Sequence, residues 1–472
     1  MRNLKPTVII ERTTVKTTPR INQVLAGLAL TLGLAIAGPQ AQAAHAHHVI
    51  PGIVGPTFNL RAKAGHLSTP DGHNLYFWGF ANGAGPVQYP GPTLIVNQGQ
   101  TITVNLVNDL TELPVSIVFP GQRVTPSGGS PGLLTREAVP GGGTASYTFI
   151  ASRPGTFMYH SGTRPDLAVE MGLVGALIVR PTTGGVPIAN QAYAHPDSAY
   201  DHEYLYLLTE MDESIHTLVE QGRMSEVNTA KRFPVYWFIN GRCGPDTVAA
   251  DNAVYLPTQP YSALTIFSPG DKVLMRVIGA GQDSHPLHHH GNNALIIARN
   301  ASLLQSTTAS GADLGYSVFT IPAHPGETTD ALFSWTGEKL GWDVYGHAPD
   351  DVDNAPLGWS TGGAKGAEDI DHDNDGVYDT IPLEPHEYAA DHGKPFPVKL
   401  PGDQDLTFGM FYSGSPFLGG VGSLPPGEGG FNPSGGFMYM WHSHNERELI
   451  NNNIFPGGML TMALVEAHPP AP

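Results

Sequence analysis

The stretch GQTITVNLVN, residues 99–108, alternates Ile102, Val104 and Leu106 with Thr101, Thr103 and Asn105. A period of two puts the aliphatic side chains on one face and the polar ones on the other, the pattern of a half-buried β-strand. TASYTFI (144–150) does the same with Ala145, Tyr147 and Phe149. GDKVLMRVIG (270–279) does so again with Val273, Met275 and Val277. The 472 residues include 57 Gly and 42 Pro, only 14% are charged, and no long helical periodicity runs through them. Together these features predict an all-β protein with many turns. A single helical pattern, MDESIHTLVEQGRM (211–224), interrupts the β-order.

The alternating strands belong to a longer repeat. GTFMYHSG (155–162) matches GFMYMWHSH (436–444), and each is followed by an apolar run, GLVGALIV (172–179) and GGMLTMALV (457–465). Two copies of one β-unit therefore lie in the chain. The second copy is longer by about 110 residues, mostly between about 340 and 430, in a stretch rich in Gly, Pro and Asp. The expected organisation is a first domain over 53–183 and a second over 200–472 that carries the insertion. Two repeated units of this size predict two Greek-key β-sandwiches.

The first 43 residues are set apart. Arg2, Lys5, Arg12, Lys16 and Arg20 precede an apolar run from Val24 to Gly38 and the small-x-small sequence Ala41-Gln42-Ala43. This is the pattern of a secretory signal peptide over 1–43, and its apolar run is shorter than the roughly 20 residues a membrane span needs. The expectation is a protein secreted to the periplasm, extracellular space or outer surface, with no membrane span after maturation. The formal net charge of −18 opposes binding to nucleic acid or anionic lipid. The single cysteine, Cys243, excludes an intrachain disulfide. After cleavage the chain would begin AHAHH (44–48), read as a polar tail whose histidines are a lesser metal candidate.

Histidines carry the chemistry. On a strand an H-x-H pair places both rings on one face. In SHPLHHHG (284–291), His288 and His290 share a face and His289 points away; in WHSH (441–444), His442 and His444 share a face. Two such strands side by side bring four imidazoles to one point, and nitrogen-rich sites favour copper. In the insertion, DIDHDNDG (369–376) spaces Asp371, Asp373 and Asp375 ahead of Gly376, with Asp379 following. These are candidate Ca²⁺ ligands in a calcium-type loop, although the bidentate Glu of an EF-hand is missing, Pro382 standing in its place.

YPGPTLIVNQGQTITVNLVNDL, GTFMYHSG, SHPLHHHG and WHSHNERE followed by PGGM resemble the cupredoxin domains of multicopper oxidases, nearest to bacterial two-domain-like forms related to manganese-oxidising or metal-oxide-respiring copper proteins. The resemblance implies cupredoxin-like β-sandwich domains and copper, and its two-domain relatives imply a homotrimer. In that family four H-x-H motifs supply eight histidines for three coppers. Carried over, the resemblance leaves five ligands here: His160, His288, His290, His442 and His444. Gly162, Val118 and Pro120 stand in the remaining slots, so one or two copper ions are expected rather than three. The family's electron-entry site needs a Cys thiolate, two His and often a Met. Here His285, Ser443, Glu448 and Met459 occupy those positions. Serine forms no Cu–S bond, so the blue site is expected to be lost, with His285 becoming either a structural residue or a further copper ligand. Glu446 and Glu448 are the candidate proton-carrying catalytic residues.

Three functions remain open, of which the first two are a secreted copper-dependent oxidoreductase of multicopper-oxidase type acting on a metal ion or small reductant, and a non-catalytic secreted copper-binding or structural protein of the same fold. A β-sandwich interaction protein without metal is the third. Fold alone does not decide between them.

Overall fold

A computed structural model describes residues 48–268, 270–335, 417–419, 422–423, 431–432 and 436–465. The signal segment, most of the long insertion and the candidate calcium ligands Asp371, Asp373, Asp375 and Asp379 lie outside the described residues.

The period-two segments form strands as their patterns require. In Thr101–Asn108, Ile102, Val104 and Leu106 are fully buried, while Thr101, Thr103 and Asn105 reach solvent to varying degrees. The strand pairs in register with Gly143–Ile150, so that Val104 faces Tyr147 and Ile102 faces Phe149 across the ladder. Six strands form this sheet, in the order Val87–Gln88, Asn74–Asn82, Thr57–Ser68, Thr101–Asn108, Gly143–Ile150 and Thr125–Gly128. A four-stranded sheet, Ile53–Val54, Gly91–Asn97, Val174–Arg180 and Gly155–His160, packs against it. Their facing side chains make one apolar core around Trp78, Phe80, Phe119, Tyr147 and Tyr159.

The second unit repeats the plan. One sheet runs Tyr236–Ile239, His202–Met211, Val273–Gly279, Thr328–Phe333, Ala294–Arg299 and Ser302–Leu303, with Tyr316–Val318 pairing alongside. The other runs Thr265–Phe267, Leu460–Val465, Gly436–Ser443, His285–His289 and Thr320–Ala323, with Phe417–Gly419 pairing on Gly436–Ser443. Its core gathers Tyr206, Trp237, Met275, Phe333, Trp335 and Trp441. The helical pattern becomes Glu213–Glu220, started by the Asp212 carboxylate, which accepts from the backbone N–H of Ser214 and buries Ile215 and Val219. The Asp212 cap satisfies an amide the helix cannot bond internally. No helix among the described residues is long and apolar enough to cross a membrane.

The strand Val273–Gly279 departs from simple alternation: every residue in it is buried. Val273, Met275 and Val277 face the core as their spacing requires, while the opposite face is covered by the first unit. There Arg276, fully buried, donates to Glu203 Oε2 at 3.0 Å and to Thr156 Oγ1 at 2.9 Å. Thr156 donates to Asp330 at 2.5 Å, and Tyr193 donates to the other oxygen of Asp330 at 2.5 Å. Arg180 closes the network on Glu203 at 2.6 Å. The two units are thus joined through charge as well as through an apolar seam of Phe77, Tyr89, Met158, Leu207 and Phe238. The sole cysteine, Cys243, lies in that seam, and burial pushes its thiol well above its ordinary pKa.

Removing one member of a buried charge network strands the others without water. Arg276→Ala is therefore expected to destabilise the protein by about 3–5 kcal/mol, measured by chemical denaturation. Despite its burial, Glu203 is held down to about 2 by the neighbouring guanidinium groups of Arg276 and Arg180. Its stabilisation is present above its ordinary pKa near 4.5 and is lost as pH falls from there toward about 2. Glu203→Gln flattens that limb of the melting-temperature profile.

Candidate metal centre

The strand His285–His289 pairs antiparallel with Gly436–Ser443, setting His288 opposite His442. Because alternate side chains share a face, this one register places His288, His290 and His442 on the same side. One ligand atom from each of the three lies within 4.8 Å of the others. The closest approach is His442 Nε2 to His290 Nε2, at 3.2 Å. His444 stands beside them, its ring centroid 5.0 Å from that of His288 and 5.6 Å from that of His442, and it is exposed.

The rings are oriented from behind. His288 Nδ1 faces the carbonyl of Phe319 at 2.7 Å and Thr320 Oγ1 at 3.0 Å; His442 Nδ1 faces the carbonyl of Ser443 at 2.7 Å. A carbonyl only accepts, so Nδ1 carries the proton in both rings and Nε2 keeps the lone pair a metal requires. Desolvation also lowers the pKa of His288 and His442, favouring the neutral, ligand-competent form. Trp441, fully buried beneath the trio, donates its indole N–H to the His290 carbonyl at 3.0 Å. His289 points the other way, into the core between Phe333 and Trp441, and burial pulls it down to about 4. Three nitrogens this close, two with defined tautomers, fit a single copper or zinc ion.

His160 is placed elsewhere. It pairs across an isolated bridge with Val118, the counterpart in the first unit of the His288–His442 pairing. The counterpart of His444 there is Gly162, where an added Cβ would meet Val118 Cγ1 at 2.7 Å and Ser116 Oγ at 2.9 Å. Gly162 is thus closed in by Val118 and Ser116, while Pro120 is exposed. His160 lines a cleft of about 350 Å³ between the units, with Met158, Pro165, Gly281 and Gln282. The expected five-histidine cluster does not assemble within one chain: the register that gathers the trio leaves His160 on the other sandwich.

His285 requires a correction as a copper-ligand candidate. It is buried, and both ring nitrogens are taken: Nε2 meets Glu210 Oε2 at 2.7 Å and Nδ1 meets Glu448 Oε2 at 2.9 Å. Ser443 Oγ donates to the same Glu448 oxygen at 2.5 Å, and Asn445 Nδ2 donates to Glu448 Oε1 at 2.9 Å. Of the two candidate proton carriers, Glu448 is thus buried in this network. Glu446 is exposed, with its carboxylate 3.2 Å from His444 Nδ1. Met459 is buried in the core of its own unit. His48 is also corrected: it is no loose tail, but stacks on Tyr204 at 4.0 Å and holds the Glu203 carbonyl through Nδ1 at 2.7 Å.

Glu210 was not legible as a site residue. Its signal was a carboxylate continuing the inward positions Tyr204, Tyr206 and Leu208 of a buried strand. Burial lowers the His285 pKa, but the carboxylates of Glu210 and Glu448 outweigh it and raise the ring to about 9. The stabilisation this gives is complete below the ordinary histidine pKa near 6.5 and is lost as pH rises from there through about 9. On the order of 3 kcal/mol is at stake. Metal-free protein is expected to lose melting temperature across that window, and Glu448→Gln is expected to flatten the loss.

Residues 67–184 match the family model described as multicopper oxidase. An L-ascorbate oxidase from Cucurbita maxima is 38% identical over 99 residues, 21% of this chain and 17% of that protein. Laccase-7 of Oryza sativa subsp. japonica is 26% identical over 247 residues, 52% of this chain and 39% of that protein. The chain therefore spans well under half the length of these curated relatives. Among solved structures, the multicopper oxidase mgLAC superposes with a TM-score of 0.50 at 17% identity, covering 88% of this chain and 87% of that one. A blue copper oxidase from Nitrosomonas europaea does so with a TM-score of 0.50 at 18% identity, covering 87% and 85%. These likenesses are of fold, two all-β cupredoxin-type sandwiches. The family match is thus confined to residues 67–184 in the first unit, and the likeness that extends over most of the chain is one of cupredoxin-type fold.

Proposed function

We propose that this protein is a secreted copper-binding oxidoreductase of multicopper-oxidase type, whose copper is held by His288, His290 and His442 with His444 beside them, and which has no blue copper site. The observation that carries this reading is the trio itself: three imidazoles converging within 4.8 Å, on the edge where two H-x-H strands pair. Copper bound there supplies single-electron chemistry; the chain supplies three oriented nitrogens and, in Glu446, an exposed carboxylate at the rim. The absence of a blue site follows from chemistry. The only cysteine is buried in the seam between the units, and the position between His442 and His444 is a serine hydrogen-bonded to Glu448. Secretion rests on the pattern of the first 43 residues.

Assembly into a ring of identical copies forms part of the reading. A head-to-tail contact repeats one interface around a closed ring. Such a contact would lay the His160 face of one copy on the trio of the next and add an imidazole the single chain does not bring there. The exposed Leu134 beside Gly162 and the exposed Phe319 against His288 give the two faces apolar surface to bury. The non-catalytic alternative keeps the same ligands and differs only in turnover.

Copper-loaded protein is expected to hold fewer than three ions per chain, to give a non-blue Cu(II) EPR signal, and to show no intense band near 600 nm. His288→Ala with His442→Ala should remove the bound ion. Three ions per chain, or equal copper in wild type and the double variant, would defeat the assignment. Analytical ultracentrifugation with and without copper tests the ring, because an ion that binds only the assembled state strengthens assembly by mass action. Oxygen consumption with a small one-electron reductant separates an oxidase from a copper carrier.

A further inference from the structure

Glu210, His285 and Glu448 come from three segments far apart in sequence and meet in the core of the second unit. His285 opens the strand that carries His288 and leads directly into His290, and Glu448 lies in the turn that follows the strand carrying His442. Glu210 is the penultimate residue of the strand His202–Met211 of the opposite sheet. All three side chains are essentially excluded from water, at 2%, 1% and 2% exposure.

Geometry fixes what the ring does. Each nitrogen of His285 faces a carboxylate oxygen, at 2.7 and 2.9 Å, and a carboxylate only accepts, so both nitrogens donate. Each carboxylate is occupied in turn. Glu210 Oε1 accepts the backbone N–H groups of Gln282 at 2.7 Å and Asp283 at 3.1 Å, just ahead of His285, and it also receives Arg232. Arg232 reaches Glu170 of the first unit and Asp283 as well. Glu448 accepts Ser443 Oγ and Asn445 Nδ2, while its own carbonyl accepts the N–H of Met459 at 2.8 Å. Apart from its contact with His285, these bonds of Glu448 fold the turn from Ser443 to Met459 back onto its start. His442 hangs on the same turn, because its Nδ1 is held by the Ser443 carbonyl.

We propose that the Glu210–His285–Glu448 clamp is the positioning device of the histidine trio, holding the segments 285–290 and 442–448 in their metal-binding arrangement before any ion arrives. The inference rests on the reading of the trio as a copper site. The clamp touches none of the three ligands and acts through the backbone that carries them. Burying two carboxylates and a charged ring contributes little net stability compared with an apolar cluster of the same volume. What it adds is direction: each hydrogen bond fixes a bearing as well as a distance, which apolar packing does not. A preformed site binds more tightly because the cost of ordering its ligands has been met in folding.

The test uses the full chain, metal-free and then titrated with Cu(II) against a chelator of known affinity. The variants are Glu448→Gln, Glu210→Gln, the pair together, and Ser443→Ala, which removes one hydroxyl and no charge. Expected for Glu448→Gln is at least tenfold faster amide hydrogen exchange over 283–290 and 442–449, with exchange in Thr101–Asn108 unchanged. Its copper Kd should rise at least tenfold, and the Cu(II) hyperfine splitting should broaden or shift. Glu210→Gln should do the same, the double variant should do little more because the clamp is one unit, and Ser443→Ala should fall between wild type and Glu448→Gln. Should Glu448→Gln fail to fold, Ser443→Ala carries the same comparison. Wild-type exchange, Kd and EPR in the variants would overturn the proposal. Faster exchange over both segments with wild-type Kd and EPR would overturn it too, leaving the clamp merely structural. If wild type itself binds no copper while the variants loosen only these two segments, the copper reading fails and the clamp remains.

Discussion

The antiparallel register that sets His288 opposite His442 is the constraint on which the rest of the site depends. A one-residue slip would turn His289 outward and drive His288 and His290 into the core, because the side-chain period of a strand is two. The sequence guards against that slip with bulk on the inner face. Leu287 and His289 pack inward on one strand and Trp441 on the other, with Phe333 closing the pocket at 5.0 Å from Trp441. A slip would expose Leu287, now fully buried, and carry His288 away from the Phe319 carbonyl into the apolar core. The core is thus what aims the ligands. The Trp441 N–H to the His290 carbonyl joins the two roles in one contact.

The two repeated units show the same register put to different use. In the first, the equivalent bridge pairs Val118 with His160, and Gly162 is confined by Val118 and Ser116. Valine there neither asks for a partner nor offers a lone pair, so the pairing serves packing alone. In the second unit all four positions are imidazoles, and two are braced by backbone carbonyls. The two units share this pairing, and side chains at four positions decide which one is equipped to receive an ion.

What was legible in the sequence follows from range. Strand alternation and H-x-H spacing are local, so the fold class, the helix at 213–220, the inward turn of His289 and the gathering of His288, His290 and His442 were readable from neighbours in the chain. His160 joins that set only through the family resemblance, which carries over a motif position, while which surface its ring meets depends on how two sandwiches dock. Glu210 was missed for a related reason. Its partner is 75 residues away, and nothing local separates a buried, paired carboxylate from one at a strand end. The stacking of His48 on Tyr204 leaves no trace in the local composition of AHAHH, which by itself looks like a polar tail.

The position occupied by His285 shows how one imidazole can serve two incompatible tasks. A metal needs a ring nitrogen with its lone pair free, whereas two carboxylates need both nitrogens protonated. His285 has taken the second state, since Glu210 and Glu448 hold its pKa near 9 against the pull of burial. To ligate copper it would have to release a proton and abandon at least one carboxylate, leaving a buried charge unpaired at a cost of several kcal/mol. Three residues further on, His288 lies at the surface with a carbonyl behind it and a lowered pKa, and the balance runs the other way. Neighbouring histidines of one short strand are thus driven to opposite protonation states by what stands behind each ring, acidic side chains for one and a peptide carbonyl for the other. That division keeps the ion-binding face and the clamp beneath it from competing for the same ligand.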